Sequence, residues 1–230
     1  MTLPLLILLC LMLTMSCALF GTLFLKRRAS GNHWISLICK VLTAGCFCGV
    51  GCLMAAFSSC PWGWQIFHGL LWGLAGDFLL ALRKIRPESE KLYFLLGIIA
   101  FSGGHFCYLS ALHRMEPFSP FPVLTIFLIL LICCEAFLIV HQVRDLKVNL
   151  PGLLYIGIEA FMSAMALNLA YSHTNLGTLL FATGSLSFFA SDNLLTVFSF
   201  GDLKYPEVDQ ALHVTYWGAQ LFIAWSILFL

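Results

Sequence analysis

The sequence contains few charged residues. Only 10% of its 230 residues are Asp, Glu, Lys or Arg, whereas soluble domains carry about 25%. Because 60% of the residues are hydrophobic, the charges are too few to cover the surface of a soluble protein of this size. Runs of roughly 20 apolar residues recur along the whole length, and each is long enough to cross a hydrocarbon core as a helix. The sequence therefore predicts an all-α membrane helix bundle, with residues 1–230 forming a single transmembrane domain.

Other absences exclude further classes of protein. The 12 basic and 11 acidic residues nearly balance and leave no basic stripe, which excludes nucleic-acid binding. The first apolar run, residues 3–25, has no charged leader and is followed by basic residues, the reverse of a secretory signal. No cysteine spacing matches a zinc site, and nine of the ten cysteines fall inside apolar runs, with only Cys60 expected in an exposed loop. We therefore expect a retained first span and cysteines that serve in packing.

Hydropathy and polar breaks predict eight transmembrane helices. They are predicted at residues 3–25, 34–56, 63–82, 92–112, 121–141, 151–171, 176–198 and 211–230. Ser119 and Pro120 are typical of a helix start and open the fifth span, while Asn149 and Pro151 suit the capped first turn of the sixth. Because the connections are short, we expect neighbours in sequence to pack antiparallel.

The distribution of basic residues predicts the orientation in the membrane. Loops one, three, five and seven hold 10 of the 12 basic residues, and basic loops stay on the cytoplasmic side. We therefore expect the odd-numbered loops in the cytoplasm and both termini on the opposite face. The ten residues are Lys26, Arg27, Arg28, Arg83, Lys84, Arg86, Lys91, Arg144, Lys147 and Lys204.

Five ionisable residues fall inside the predicted spans, where a charge costs about 2.5 to 3.5 kcal/mol and is a functional hypothesis by default. Lys40, Asp77, Glu135 and Asp192 lie at a similar depth, about 9 Å from the cytoplasmic side at 1.5 Å per residue, and Glu159 lies a little deeper. Asp77 and Asp192 are too short to snorkel to the interface. Glu135 is interpreted as an interfacial residue, and Lys40 either snorkels or pairs with one acid. With four acids and one cation, at least one acid is expected to be protonated at neutral pH, as general acid and base catalysis requires.

Residues three and four positions apart share a helix face, and several polar pairs and triplets in the sequence have this spacing. We expect their stripes to meet in a pocket that opens toward the cytoplasm. Glycines three and four residues apart in the third span permit neighbouring helices to approach it closely. The polar stripes are His213, Tyr216 and Gln220; His105 and Tyr108; Tyr155 and Glu159; the glycines are Gly69, Gly73 and Gly76.

At these positions the sequence resembles the YhhN-like lysoplasmalogenase family of eight-helix membrane proteins. The resemblance extends over nearly the whole chain and depends on the order and spacing of its short motifs. Two departures are Val41, where the family commonly has proline, and Glu159, an additional acid on the sixth span. The matching stretches are Lys40 to Thr43, Gly73 to Leu80, Ala100 to Tyr108, Tyr155 to Met162, Ser191 to Leu195 and Thr215 to Leu221.

The resemblance implies hydrolysis of the vinyl ether bond of lysoplasmalogens to a fatty aldehyde and a glycerophospho-base, without a metal or organic cofactor. Asp77 and Asp192 would be the catalytic acid and carboxylate, in an order that the sequence does not fix. The implied partners are a lysophospholipid substrate and the lipid bilayer. The implied substrate-binding residues are Lys40, which would bind the phosphate, and His105, Tyr108, Glu159, Asn193, Tyr216 and Gln220.

Two other functions remain open at the level of sequence. Carboxylates and histidines inside spans also form the proton relays of transporters, so a proton-coupled carrier of a small or lipid-like substrate is the main alternative. A non-catalytic membrane scaffold or lipid-binding protein is the second, although it explains the number of buried charges poorly. A bacterial inner membrane and a eukaryotic internal membrane both fit the sequence.

Overall fold

The fold consists of long helices joined by short connections. The computed structural model describes residues 2–143 and 150–230, and the regular elements within them are helical. A 3-10 turn, Pro87–Ser89, precedes the fourth long helix. The eight long helices are α1 (Leu3–Ala29), α2 (His33–Phe57), α3 (Gly63–Ile85), α4 (Glu90–Met115), α5 (Pro120–Val140), α6 (Leu150–Ser172), α7 (Leu176–Phe200) and α8 (Pro206–Ser226). The predicted all-α architecture with eight helices is confirmed.

The helix starts show how local sequence sets the boundaries. α5 begins at Pro120 directly after Ser119, as predicted. α8 begins at Pro206 rather than at position 211, because a proline suits the first helical turn and the Glu207 and Asp209 side chains in that turn are favoured by the helix dipole. The predicted cap at Asn149 lies outside the described residues, as do the basic residues predicted for the fifth loop.

The helices expose apolar side chains and bury polar ones, as a membrane protein requires. Within the described ranges, α1 to α6 are long and apolar enough to span a membrane. The last two helices carry more polar residues, and these are buried: Thr178, Ser185 and Ser191 on α7, and His213 and Gln220 on α8. The outer surface instead presents large apolar side chains along most of the helices. The chain is therefore a multi-pass membrane protein.

Seven of the helices surround the interior, and α5 lies outside them. α1, α2, α3 and α4 pack in sequence order, α4 then contacts α6, and α6, α7 and α8 follow, with α8 returning to α1, α2 and α3. α5 packs against α6 and α7. A bidentate ion pair links α1 to α8 where the bundle closes. It joins Arg28 at the end of α1 to Asp209 in the first turn of α8, with N···O distances of 2.7 and 2.8 Å.

The prediction that all sequence neighbours pack together is wrong for α4 and α5, which share no contact among the described residues. The reason lies in their composition. α5 is the most apolar of the six spanning helices, with a mean hydropathy of 3.0, and it is mostly exposed. α6 carries buried Tyr155, Glu159 and Asn168, which are costly in lipid. α6 therefore occupies the interior position beside α4, and α5 faces the lipid.

The cysteines are all free thiols, and most of them are buried between helices. The expectation that Cys60 is exposed in a loop is wrong, because only 9% of it is accessible and it packs in the hydrophobic core. Cys133 is the exposed cysteine, and it lies on the peripheral helix α5. Cys133 is exposed because α5 lies outside the other seven helices.

The glycines of α3 allow the neighbouring helices to approach closely, as predicted. A Cβ atom added at Gly69 would lie 2.3 Å from the Tyr108 ring, and one at Gly76 would lie 2.6 Å from the Phe101 ring. Neither ring has space to retreat, since Tyr108 is 1% and Phe101 is 9% exposed. In contrast, a Cβ at Gly45 would meet nothing within 4 Å.

We expect Gly69→Ala to lower the free energy of unfolding by about 1 to 3 kcal/mol, because the added methyl group overpacks the contact with Tyr108. Gly45→Ala, which has space and gains helix propensity, is expected to be neutral or stabilising by about 0.5 to 1 kcal/mol. Chemical unfolding of the two purified variants in detergent measures both effects. Equal stability of the two variants would contradict close packing at α3.

Candidate functional site

A cavity opens at the end of the bundle that carries the loops after α1, α3, α5 and α7, called here the odd-loop end. It contains about 1090 Å³ of space free of protein atoms, including its open mouth. Side chains from α2 to α8 line it, and most of them are apolar. Within this apolar wall, the ionisable residues Lys40, Asp77 and Asp192 face the same space. The structure therefore brings together the two predicted aspartates and the predicted lysine.

Lys40 and Asp77 form a buried ion pair. Lys40 Nζ lies 3.0 Å from Asp77 Oδ1, and the two side chains are 8% and 2% exposed. Lys40 therefore pairs with an acid and does not snorkel to the surface. The second oxygen of Asp77, Oδ2, is buried without a hydrogen-bond partner among the described residues. One carboxylate oxygen is thus held by the cation, while the other is buried without a donor from the described part of the chain.

Asp192 is held by neutral groups instead. The Tyr155 hydroxyl donates a hydrogen bond to Asp192 Oδ2, and His105 Nε2 lies 3.2 Å from the same hydroxyl. Because the Tyr155 proton points to Asp192, His105 must donate through Nε2. Its other nitrogen, Nδ1, lies 3.3 Å from the sulfur of Met162. The second aspartate is therefore supported by a chain of hydrogen bonds that runs from α4 through α6 to α7.

Tyr108, Gln220 and Tyr216 form a second hydrogen-bonded chain next to the cavity. The Tyr108 hydroxyl donates to Gln220 Oε1 at 3.1 Å, and Gln220 Nε2 donates to the Tyr216 hydroxyl at 3.2 Å. Of the three, Tyr216 lines the cavity, where it lies close to Asp77. Tyr108 and Gln220 lie behind it and fix the position of its hydroxyl group.

Five of the seven residues predicted to bind substrate do not line the cavity: Tyr108 and Gln220, which lie behind Tyr216, and Asn193, Glu159 and His105. The Asn193 amide donates to the Phe189 carbonyl at 2.7 Å and accepts from the thiol of Cys134, so it is engaged between α5 and α7. Glu159 is completely buried, and neither carboxyl oxygen has a hydrogen-bond partner among the described residues. His105 is also outside the lining and acts through Tyr155. Glu135, interpreted as interfacial, is exposed on α5.

Sequence reasoning did not include Tyr155 and His213 among the site residues. Tyr155 lines the cavity and contacts Asp192 directly. His213 also lines it, with Nδ1 placed 2.6 Å from the Asp209 carbonyl in the preceding turn. Both residues belong to polar stripes that the helical spacing had identified. That spacing was the available signal, and it needed the packing of α6 and α8 to show which stripe members reach the cavity.

Asp77, Asp192 and Lys40 lie at a common depth, but it is greater than predicted. Asp77 and Asp192 each lie eight residues before the ends of their helices, at Ile85 and Phe200, and Lys40 lies seven residues after the start of α2. At 1.5 Å per residue, this places them about 10 to 12 Å inside the helix ends. The difference arises because α3 and α7 extend beyond the apolar runs from which their ends were predicted.

Comparison with known proteins places the chain in a family. The model of the YhhN family matches residues 35–227. No curated protein matches the chain, and no solved structure does. The matched range includes the ion pair, both hydrogen-bonded chains and the residues that line the cavity. This chain belongs to the YhhN family.

Proposed function

We propose that this protein is a membrane hydrolase that cleaves the vinyl ether bond of lysoplasmalogens. The observation that carries the proposal is that Asp77 and Asp192 line one apolar cavity in different surroundings, one beside a cation and the other beside neutral hydrogen-bond donors. Two carboxyl groups in different protonation states are the arrangement that acid and base catalysis requires. Membership of the YhhN family agrees with this activity.

The surroundings assign a role to each aspartate. Asp77 contacts the Lys40 ammonium at 3.0 Å, so it stays ionised in the apolar interior, where an unpaired charge is costly. Asp192 is not paired with a cation among the described residues and lies in the same cavity as the Asp77 charge. Like charges in such a site oppose each other, which favours the protonated form of Asp192. We therefore assign Asp192 as the general acid and Asp77 as the carboxylate.

The reaction follows from these two states. Asp192 gives its proton to the alkene carbon that is not bonded to oxygen, which leaves a positive charge shared by the ether oxygen and the adjacent carbon. The Asp77 carboxylate stabilises this oxocarbenium ion and orients a water molecule, as the paired acids of glycosidases do. Water adds to the cationic carbon, its proton returns to a carboxylate, and the hemiacetal breaks into aldehyde and alcohol. The overall reaction consumes one water molecule and leaves both acids unchanged.

The neighbouring polar groups have supporting roles in this proposal. Tyr216 presents its hydroxyl to the cavity beside Asp77, and Tyr108 and Gln220 hold that hydroxyl in place. Tyr155 and His105 position Asp192 by hydrogen bonds. Such preorganised donors are effective in a site with little water.

The cavity also suits a single-chain lipid. Its wall is largely apolar, with Leu80, Ile98 and Leu195 among its residues, so the aliphatic part of a lysolipid can be accommodated. Because basic residues concentrate at the odd-loop end, we propose that this end faces the cytoplasm and that substrate enters from the cytoplasmic leaflet. A bacterial inner membrane or a eukaryotic internal membrane is the proposed location.

A proton-coupled carrier is the second candidate, and one observation favours it. The hydrogen-bonded chain from His105 through Tyr155 to Asp192, together with buried Glu159, resembles a path for protons. Purified protein in proteoliposomes separates the two candidates. Release of aldehyde from lysoplasmalogen supports the hydrolase, whereas proton-dependent uptake of the lipid without turnover supports the carrier.

Asp77→Asn and Asp192→Asn are each expected to reduce the rate of aldehyde release about 10²- to 10⁴-fold. The first substitution removes the proposed carboxylate, and the second removes the proposed general acid. The assay uses purified protein with lysoplasmalogen, and the ester-linked lysophospholipid serves as the substrate control. Glu135→Gln is the matched control variant, since Glu135 is an exposed acid on α5. Activity close to wild type in either Asn variant would show that the two-acid assignment is wrong.

The ion pair makes a separate prediction about stability and activity. Lys40→Met is expected to lower the free energy of unfolding by about 3 to 5 kcal/mol, because it leaves a buried carboxylate without its cation. The double variant Lys40→Met with Asp77→Asn is expected to recover most of this stability while remaining inactive. Chemical unfolding in detergent, measured alongside aldehyde release, tests both statements. A double variant no more stable than Lys40→Met would contradict an ionised Asp77.

A further inference from the structure

We propose that Arg83, which stacks on the cavity-lining residue Phe94 near the odd-loop end, binds the phosphate group of the lysolipid head group. This inference rests on the proposed function, because it assumes that a lysophospholipid occupies the cavity. It assigns to an arginine at the membrane interface the role that sequence reasoning gave to Lys40.

Lys40 is not free to bind a phosphate. It is the only Lys or Arg among the described residues that line the cavity, and its ammonium is held by Asp77 at 3.0 Å. A phosphate that took this ammonium would leave the Asp77 carboxylate buried without its cation, which is strongly unfavourable. The phosphate therefore needs another cation, closer to the water at the odd-loop end.

Arg83 lies near the odd-loop end, where this cation is needed. Its guanidinium carbon lies 4.6 Å from the centre of the Phe94 ring, and Phe94 lines the cavity and contacts Phe200, which also lines it. The Arg83 side chain is 19% exposed, and its Nε has no hydrogen-bond partner among the described residues. Arg83 thus lies against an aromatic residue of the cavity wall, and its buried Nε has no partner within the described chain that fixes the guanidinium in this orientation.

The present partner of Arg83 is replaceable. Arg83 Nη2 donates to Glu90 Oε1 at 2.8 Å, but Glu90 is 47% exposed, and ion pairs of this kind contribute little to stability. Arg28, in contrast, is held by both oxygens of Asp209. A planar guanidinium matches a phosphate with two parallel hydrogen bonds, which a lysine ammonium does not provide.

The spacing along α3 fits the substrate. Arg83 follows Asp77 by six residues, which corresponds to about 9 Å along the helix axis. In a lysoplasmalogen, seven bonds separate the phosphorus from the alkene carbon that accepts the proton, and an extended chain of such bonds spans roughly 9 Å. A lipid held at Arg83 therefore places its vinyl ether bond at the depth of the two aspartates.

The test measures binding of a lysophospholipid with a saturated ether bond, which the hydrolase cannot cleave. The full chain is placed in lipid nanodiscs, with empty nanodiscs subtracted, and an alkylglycerol without phosphate is the control ligand. Arg83→Gln is expected to weaken binding of the phospholipid about 10- to 100-fold, without changing the affinity for the alkylglycerol. Lys84→Gln, which removes a neighbouring exposed charge, is expected to bind like the wild type.

Glu90→Gln distinguishes a ligand site from a structural ion pair. If Glu90 competes with the phosphate for Arg83, its replacement should tighten phospholipid binding about two- to fivefold. If the pair only stabilises the fold, Arg83→Gln and Glu90→Gln should act in the same direction. Equal loss in both variants, or unchanged affinity in Arg83→Gln, would overturn the proposal.

Two further measurements distinguish a lipid phosphate from free phosphate, and failure of this site from failure of the proposed function. Inorganic phosphate that binds at Arg83 and is not displaced by the ether lipid would overturn the assignment to a lipid head group. Binding of the ether lipid that depends on Arg83, in a protein that releases no aldehyde from lysoplasmalogen, would support this site and refute the hydrolase.

Discussion

The buried ion pair between Lys40 and Asp77 is the interaction on which the organisation of the site depends. A carboxylate and an ammonium group in a poorly solvated interior stabilise each other only while both are present. Their contact joins α2 to α3 at 3.0 Å and fixes a negative charge in the cavity wall. In the proposed mechanism, that charge disfavours a second negative charge on Asp192, which shares the cavity but is not paired with the cation. The ion pair thus gives the two aspartates different surroundings.

The position of each helix follows from where its polar groups can be satisfied. α4, α6, α7 and α8 carry the hydroxyl, amide, carboxyl and imidazole groups that build the hydrogen-bonded chains, and those helices line the cavity together with α2, α3 and Leu138 of α5. α5 has little to contribute to such chains and lies against the outside of α6 and α7. Lipid offers no partners for polar side chains. The helices with polar side chains therefore pack in the interior, and this packing also gathers their polar groups around the cavity.

The sequence was sufficient to predict the helices and the meeting of the main ionisable groups, because apolar length and buried charge are strong signals in a membrane protein. It was not sufficient to place α4 beside α6, since that contact depends on which helices compete for the interior. The case of Asn193 shows a second limit. Its neighbour Asp192 lines the cavity, but adjacent residues on a helix point in different directions, and Asn193 contacts α5 instead. The role of Tyr155 likewise became clear only from the packing of α6 against α7.

The proposed function requires a cavity that suits a vinyl ether better than an ester, and the charges of this cavity support that choice. Ester hydrolysis by a serine enzyme requires a hydroxyl that a base can activate toward a carbonyl carbon. Of the three serine and threonine residues among the described lining of this cavity, Ser191 donates its hydroxyl to the Leu212 carbonyl at 2.9 Å and Thr196 donates to the Asp192 carbonyl at 2.8 Å, so these two protons are committed to the backbone. A vinyl ether instead needs a proton donor and a nearby negative charge, because its transition state is cationic. Asp192 and the Asp77 carboxylate supply these two requirements, and the same negative charge would repel the oxyanion that forms during ester cleavage.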